Sequence, residues 1–259
     1  AQQRKENGED TGNEISKYNN IQMAKKIQLN SAYGAVGNQY FRYFDLRNAE
    51  AITMGGQLAI RWIERHLNDY LNKYLETDNY DYVVAIDTDS VYLRLGTFVD
   101  KFIPGDDKNK ICDVIDKATK EAFEPFITQS YQKLADYVNA FEQKMFMGRE
   151  VIADKAVWTA KKRYALNVYD NEGVRYAKPK MKVMGMEIVK SSTPSNVRGK
   201  LKEAVNLVLT GTEVQLQDLV HKYKKEFATL PISEISFPRG LSDYTKYEHA
   251  INTGNNLKA

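Results

Sequence analysis

The chain has 259 residues, of which 42% are hydrophobic and 27% charged, so it can bury a core of its own and form one or two domains. Its single cysteine, Cys112, excludes an internal disulfide and indicates a reducing compartment. No apolar run is long enough to span a bilayer, and a formal net charge of +3 does not by itself point to any partner.

The first predicted elements are a polar N-terminal run and a helix. Ala1–Asn20 is rich in charged and amide side chains and is expected to form a loop or a frayed helix. Gln22–Gly37 favours a helix. Lys26, Asn30 and Tyr33 stand at positions i, i+4 and i+7 and share one face of it, where they can meet a triphosphate, a polar edge and a base. An ordinary amphipathic helix that ends at glycine explains the same pattern.

The next elements are a core helix and a hairpin with an acidic tip. Leu46–Leu75 keeps helical spacing and predicts a long helix behind a sheet. Tyr82–Ile86 and Val91–Leu95 favour strands joined by a tight turn. Because residues two apart on an extended backbone point to the same side, Asp87 and Asp89 can aim two carboxylates at one point. Such a pair suits Mg²⁺, although a solvated turn is the common alternative.

A loop and two helices are predicted after the hairpin. Pro104–Lys110 combines turn residues with charges. Ile111–Phe123 is amphipathic, and Pro125 is expected to interrupt it. A second helix is then expected to run to about Phe141.

The remainder of the chain changes to strands and then back to helices. From Lys144 onward the pattern is strand-like, and Tyr164–Tyr169 and Val174–Lys178 flank a hairpin turn at residues 170–173. Ser192–Ser195 resembles a helix start. The later segments are predicted as helices at Asn196–Leu209 and Val214–Ala228, and as loops at Phe237–Gly240 and Asn252–Asn256.

Positive charge is concentrated in one segment. Lys144–Lys202 contains fourteen Lys and Arg but five Asp and Glu, so its formal charge is +9 and that of the remaining residues −6. Aromatic and β-branched residues interleave with these charges. The pattern indicates a footprint for a phosphate backbone, with a solvated surface as the alternative.

Three motifs, in order, resemble those of the family B DNA polymerases. Residues 25–38 resemble motif B and read KKIQLNSAYGAVGN. Residues 85–92 resemble motif C and read AIDTDSVY, and residues 159–164 resemble the K-K-R-Y motif and read TAKKRY. Stretches such as FRYFDLRNAEAIT also resemble the polymerases of T4-like tailed phages. The resemblance covers most of the chain, from about Ile21 to Leu209.

The resemblance implies a role for each matching residue. Asp87 and Asp89 match catalytic aspartates that hold two Mg²⁺ ions, and Asp89 is the stronger candidate for direct ligation of both. Glu150 matches an auxiliary carboxylate beside the metals. The residues that match nucleotide contacts are Lys26 at the triphosphate, and Asn30 and Tyr33 at the nascent base pair. The residues that match the segment holding the primer-terminal duplex are Lys161, Lys162, Arg163 and Tyr164.

The sequence departs from the family pattern in two ways. Ile86 stands where the family has a glycine, and a branched residue there still suits a strand. Neither motif A, D-x-x-S-L-Y-P-S, nor the acidic exonuclease motifs are present, so we expect another essential carboxylate to come from outside this sequence. The resemblance therefore implies a fragment or one piece of a split polymerase, divided into the C-terminal part of the fingers (1–38), the palm with the DTDS hairpin and KKRY segment (39–185) and the start of the thumb (186–259).

The fold implied is α+β, with an antiparallel palm sheet packed on long helices, a partial fingers helix and helical thumb elements. The function implied is that of a DNA-directed DNA polymerase, which transfers dNTPs to a primer 3′-OH on a DNA template. The expected partners are primer–template DNA, dNTPs, and a second polypeptide or missing segment carrying motif A and the exonuclease, with a sliding clamp as a further candidate. The expected setting is a viral protein in the cytoplasm of a bacterial host, without membrane contact.

Two alternatives belong to other classes of protein. The first is a non-catalytic DNA-binding or assembly subunit that completes an active site in trans. The second is an unrelated palm-like enzyme such as a nucleotidyl cyclase, which explains neither motif B nor KKRY.

Overall fold

A computed structural model describes residues 11–240 together with residues 242, 245 and 248. The predicted polar run as far as residue 10 and the predicted loop Asn252–Asn256 lie outside the described residues. The chain forms two compact units. One unit reaches to Ala153 and includes Val168–Lys180, and the other comprises Asp154–Asn167 and continues from Met181.

The described chain alternates helices with two groups of strands. Its helices are α1 (Gly12–Val36), α2 (Leu46–Leu75), α3 (Gly96–Phe102), α4 (Lys108–Ala118), α5 (Glu124–Tyr137), α6 (Ser195–Thr210), α7 (Glu213–Phe227) and α8 (Ile232–Ile235). Its strands are β1 (Val83–Asp87), β2 (Ser90–Leu93), β3 (Val151–Ala160), β4 (Arg163–Asn171) and β5 (Val174–Met184). No helix within the described residues has both the length and the apolar character needed to cross a membrane.

The fold is α+β, as the sequence predicts, but its strands form two sheets rather than the single sheet expected. Strand β1 pairs with β2, and the other sheet has the order β3-β4-β5. Two-residue turns join neighbouring strands, so neighbours run antiparallel. Helices α3 to α5 separate β2 from β3 along the chain, and the acidic hairpin is a sheet of its own.

Helix α1 begins earlier than the sequence predicts. Residues 12–20, expected as a loop or frayed helix, belong to one continuous helix that ends at Val36. The segment contains no proline to break it, and α1 buries none of its residues, so polar side chains stay in solvent throughout. Because no apolar face is required, hydrophobic spacing could not locate the start of this helix.

Helix α2 has the bounds that the sequence predicts and supplies much of the core of the first unit. Most of its buried positions lie from Ala59 onward and recur at helical spacing: Ala59, Ile60, Ile63, Leu67, Leu71 and Leu75. These side chains, except Ile60, pack in two clusters that also contain Tyr82 and Val83 at the start of β1. Each fully buried aliphatic side chain stabilises the fold by about 1.5–3 kcal/mol, so the base of the acidic hairpin rests on a well-packed core.

Pro125 does not end the helix that it was expected to interrupt. Helix α4 continues through a π-helical turn (Thr119–Phe123) into α5, and the N–H of Glu124 bonds to the carbonyl of Thr119, five residues back. The π-helical turn shifts the hydrogen-bond register directly before Pro125, which lies in the first turn of α5. Helix α5 ends at Tyr137, short of the predicted Phe141.

The second unit has its own small core. Ala165 of β4 is fully buried and packs with Val205 and Leu209 of α6. Helices α6 and α7 agree with the predicted helices to within one residue at each end. A capping box between Thr212 and Gln215 fixes the start of α7.

Candidate active site and nucleic-acid interface

Two carboxylates lie at the tip of the β1–β2 hairpin. Asp87 ends β1 and pairs with Ser90 at the start of β2, so Thr88 and Asp89 form the turn. Thr88 has a φ of +58°, and the N–H of Asp89 donates to the carbonyl oxygen of Asp87 at 2.6 Å, as in a γ-turn. The expected alternation along an extended strand therefore does not apply to this pair; the tight turn itself brings their backbones together.

Hydroxyl groups beside the turn contact both carboxylates. Thr88 Oγ1 donates to Asp87 Oδ1 at 3.1 Å, and Ser90 Oγ lies 3.5 Å from Asp89 Oδ1. Asp87 is half-buried and Asp89 is exposed. The hairpin thus presents two acidic side chains to solvent and orients them with short hydroxyl neighbours.

Helix α2 holds the base of the hairpin through two asparagines one turn apart. Asn68 Oδ1 accepts hydrogen bonds from the N–H groups of Tyr82 at 2.8 Å and Val83 at 3.1 Å. Asn72 Oδ1 accepts from the N–H of Tyr80 at 2.8 Å, and its Nδ2 donates to the Tyr80 carbonyl at 2.7 Å. Sequence reasoning missed both residues. Their i, i+4 spacing beside the buried face of α2 is the signal that could have found them.

The two aspartates fit one part of a Mg²⁺ site. Mg²⁺ takes oxygen ligands, often one or two protein carboxylates, and leaves positions for water and substrate phosphates. Asp87 and Asp89 supply such oxygens from an anchored hairpin. Among the residues that the structure describes, no group of three or more His, Cys, Asp and Glu side chains could hold a metal ion. Two carboxylates at a hairpin tip suit a site whose remaining positions are filled by water and substrate phosphates.

Glu150, the predicted auxiliary carboxylate, lies directly before β3 with its side chain exposed. Its carbonyl oxygen accepts a hydrogen bond from the N–H of Glu172 at 2.6 Å, which ties it to the turn between β4 and β5. The structure places Glu150 beside the three-stranded sheet, and the acidic pair on the separate hairpin. Its role at a metal site stays a prediction.

A buried ion network lies beside Glu150 and was not found from the sequence. The Arg149 side chain is 10% exposed and forms ion pairs with Asp116 and with Asp170, whose side chain is 4% exposed. Lys120 and Arg149 hold the pKa of Asp116 below its usual range, against the effect of burial. Arg149 thus bridges a carboxylate of α4 and a carboxylate of β4, so the network fastens α4 to strand β4.

The predicted nucleotide-binding residues lie together on α1. Lys26, Asn30 and Tyr33 are all exposed, and their helical spacing places them on one face. Helix α1 meets α2 at its C-terminal end, where the N–H of Asp45 donates to the carbonyl of Val36 at 3.3 Å. The face is accessible to a ligand, and its use for nucleotide binding stays a prediction.

The predicted DNA-binding segment forms the turn between β3 and β4. Lys161 and Lys162 are the two turn residues; both are exposed, and Lys162 has a φ of +61°. Arg163 begins β4 and forms an ion pair with Glu187. Tyr164 is buried within β4. The motif therefore exposes its two lysines, while its arginine and tyrosine are engaged within the protein.

Comparisons with known proteins agree on one family. The profile described as DNA polymerase family B matches residues 3–247. The chain is 42% identical over 242 residues to a DNA-directed DNA polymerase of Enterobacteria phage T4. The matched segment covers 89% of this chain and 27% of that protein. It is 42% identical over 237 residues to a DNA-directed DNA polymerase of Escherichia phage RB69, which covers 88% of this chain and 26% of that protein. The chain thus spans about a quarter of the length of these relatives.

Proposed function

The chain belongs to DNA polymerase family B, and on that premise we propose that it serves the template-directed addition of dNTPs to a primer 3′-OH. The observation that carries the proposal is the acidic pair Asp87 and Asp89 at the tip of a hairpin anchored on α2. An Asp-x-Asp turn alone is common. In a chain that matches this family, the pair is a candidate for binding the Mg²⁺ ions of nucleotidyl transfer.

Asp87 and Asp89 would hold Mg²⁺ through their carboxylate oxygens. A bound pair of Mg²⁺ ions supplies Lewis acidity to the attacking and leaving oxygens of nucleotidyl transfer. The hairpin also orients one of the two carboxylates, because Thr88 Oγ1 donates a hydrogen bond to Asp87. Glu150 is proposed as an auxiliary carboxylate, which the family resemblance supports.

The exposed face of α1 is proposed to receive the incoming nucleotide. The Lys26 ammonium group would offset negative charge on the triphosphate as a point charge. Asn30 offers an amide and Tyr33 a flat ring, which suit the polar edge and face of a base pair. All three side chains project from one helix, so a movement of α1 would deliver them together.

The turn at Lys161 and Lys162 is proposed to contact the phosphate backbone of the primer–template duplex. Such contacts position a duplex without reading its sequence, as copying any template requires. The positive excess of Lys144–Lys202 supports this assignment. Arg163 and Tyr164 complete the motif from within the fold.

The remaining parts of the enzyme are proposed from the family resemblance. Residues 1–38 would belong to the fingers, 39–185 to the palm and 186–259 to the thumb. A segment or second polypeptide carrying motif A would supply a further carboxylate, and an exonuclease and a sliding clamp are candidate partners. The relatives are phage proteins, which supports a viral protein acting in the cytoplasm of a bacterial host.

Primer extension tests the proposal. The chain is incubated with primer–template DNA, dNTPs and Mg²⁺, with and without a polypeptide that carries the D-x-x-S-L-Y-P-S segment. We expect extension only when both are present, because the acidic hairpin supplies part of the metal site. Robust extension by the chain alone would contradict a shared site, and no extension in any combination would contradict the proposal itself.

The same experiment separates the enzyme from a non-catalytic DNA-binding or assembly subunit. Asp87→Asn in the combined enzyme should stop extension if the hairpin holds the metals. If extension continues at the parental rate, the chain only binds DNA or supports an active site formed elsewhere.

A further inference from the structure

The Lys161–Lys162 turn has a backbone conformation that it does not favour by itself. Lys162 has a φ of +61°, in the left-handed region that residues with a Cβ seldom adopt. Such a conformation costs about 1–3 kcal/mol and persists only where neighbouring structure holds it. The residues that hold it therefore determine where the two lysines point.

Gly185, just after β5, lies directly against this turn. A Cβ built on Gly185 would lie 2.0 Å from the carbonyl oxygen of Lys162 and 3.1 Å from its carbonyl carbon. Gly185 also has a φ of +66°. The contact is made with backbone atoms, so no side-chain rotation can relieve it. Any residue larger than glycine must therefore displace either the turn or the backbone at residue 185.

Glu187 holds the next residue of the motif. Its carboxylate pairs with the guanidinium of Arg163 and with Lys190 Nζ at 3.3 Å. On the other side, Thr159 Oγ1 donates to the carbonyl of Arg163 at 3.3 Å. The guanidinium group of Arg163 is therefore paired with the Glu187 carboxylate, which partly neutralises its positive charge.

We infer that Gly185 and Glu187 are positioning residues, which fix the Lys161–Lys162 turn so that both lysines meet the phosphate backbone of duplex DNA. On this inference Arg163 positions the turn instead of binding phosphate. The inference rests on the proposed function, since it assumes that the turn contacts DNA. It adds two residues that lie outside the KKRY motif, 23 and 25 positions beyond Lys162.

The test measures how DNA binding by the chain depends on salt. The slope of log K against log[salt] for a primer–template duplex counts phosphate contacts, at about 1 per lysine. Gly185→Ala should lower the slope by up to about 2, as Lys161→Ala with Lys162→Ala does. Adding Gly185→Ala to that double variant should change the slope no further, because the contacts are already lost.

Gly173→Ala is the matched control. Gly173 lies in the turn between β4 and β5 with a φ of +83°, but no atom lies within 4 Å of a Cβ built there. It should show the backbone strain of Gly185→Ala without the collision, and keep the parental slope. Glu187→Gln creates no collision, so it tests the inference if Gly185→Ala does not fold. This variant also frees the charge of Arg163, which by itself would raise the slope, so a lower slope would report displacement of the turn; Glu187→Asp should restore part of the parental slope.

The outcomes distinguish the inference from the proposed function. If the lysine double variant lowers the slope while Gly185→Ala and Glu187→Gln keep the parental value, the positioning role is wrong and the DNA contact stands. If the lysine double variant itself keeps the parental slope, both are overturned. Equal losses in Gly185→Ala and Gly173→Ala would indicate general destabilisation and also contradict the inference.

Discussion

Two charged turns of this protein resemble each other in form and differ in how they are held. The acidic turn joins β1 to β2 with Thr88 at φ +58°, and the basic turn joins β3 to β4 with Lys162 at φ +61°. The acidic turn is anchored at its base, where Asn68 binds the backbone of Tyr82 and Val83. The basic turn is held at its tip, where the backbone of Gly185 packs closely against the carbonyl group of Lys162.

The difference fits the ligand proposed for each turn. A metal ion with water and phosphates needs room around the carboxylates, so an anchor several residues away leaves the tip accessible. A duplex offers a continuous row of phosphates, so a turn that contacts it benefits from a fixed direction. Hydrogen bonds at the base of a turn and close packing at its tip are therefore two ways to preorganise a short loop.

The largest effect is expected from a substitution that removes a carboxylate of the acidic turn and leaves the contacts that support the turn intact. Asp89→Asn in the combined enzyme should lower the rate of primer extension by roughly ten-thousandfold, because a neutral amide is a poor ligand for a hard cation. Duplex binding should be unchanged. Asp100→Asn, an exposed aspartate on α3, serves as the control and should retain activity. A near-parental rate for Asp89→Asn would remove this residue from the metal site.

The next effect removes the anchor and leaves the turn intact. Asn68→Ala leaves the buried N–H groups of Tyr82 and Val83 without their acceptor, which should lower the free energy of unfolding by about 3 kcal/mol. Urea denaturation measures the change. Asn48→Ala, exposed on the same helix, should stay within about 0.5 kcal/mol of the parent. Equal stability of the two variants would show that the hairpin does not depend on this anchor.

A smaller effect measures the strain in the acidic turn. Thr88→Gly and Thr88→Ala both remove the hydroxyl that donates to Asp87, but only glycine adopts a positive φ without strain. The glycine variant should therefore be more stable than the alanine variant by about 1 kcal/mol in urea denaturation. If the alanine variant is equally stable, Thr88 stores no strain.

The smallest effect concerns pH and separates the two turns. The backbone N–H of Glu187 and the Lys190 ammonium group lower the pKa of the Glu187 carboxyl from its usual value. A lowered pKa in the folded state means that the stabilisation is complete above the unfolded pKa and is lost as pH falls through the folded one. The thermal midpoints of the parent and Glu187→Gln should therefore differ at neutral pH and converge in acid. Asn68 does not titrate, so the difference between the parent and Asn68→Ala should not converge in this way.

The sequence predicted features whose cause is local. The bounds of α2 follow from its apolar spacing, and the acidic hairpin follows from β-rich runs on both sides of a polar turn. The family resemblance, which the comparisons confirm, singles out Asp87 and Asp89 as metal-ligand candidates from the sequence alone. The predicted start of helix α1 was too late in the sequence, because an exposed helix has no pattern of buried residues that marks where it begins.

The supports of the two turns depend on distance in space. Asn68 meets Val83 across 15 positions and Glu187 meets Arg163 across 24, and no local pattern specifies either contact. The sequence by itself determined which charged residues stand at each turn, because side-chain chemistry and turn propensity are local properties. Only the tertiary structure decided what holds each turn in place, because a hydrogen bond or a steric limit exists only between groups that folding has brought together.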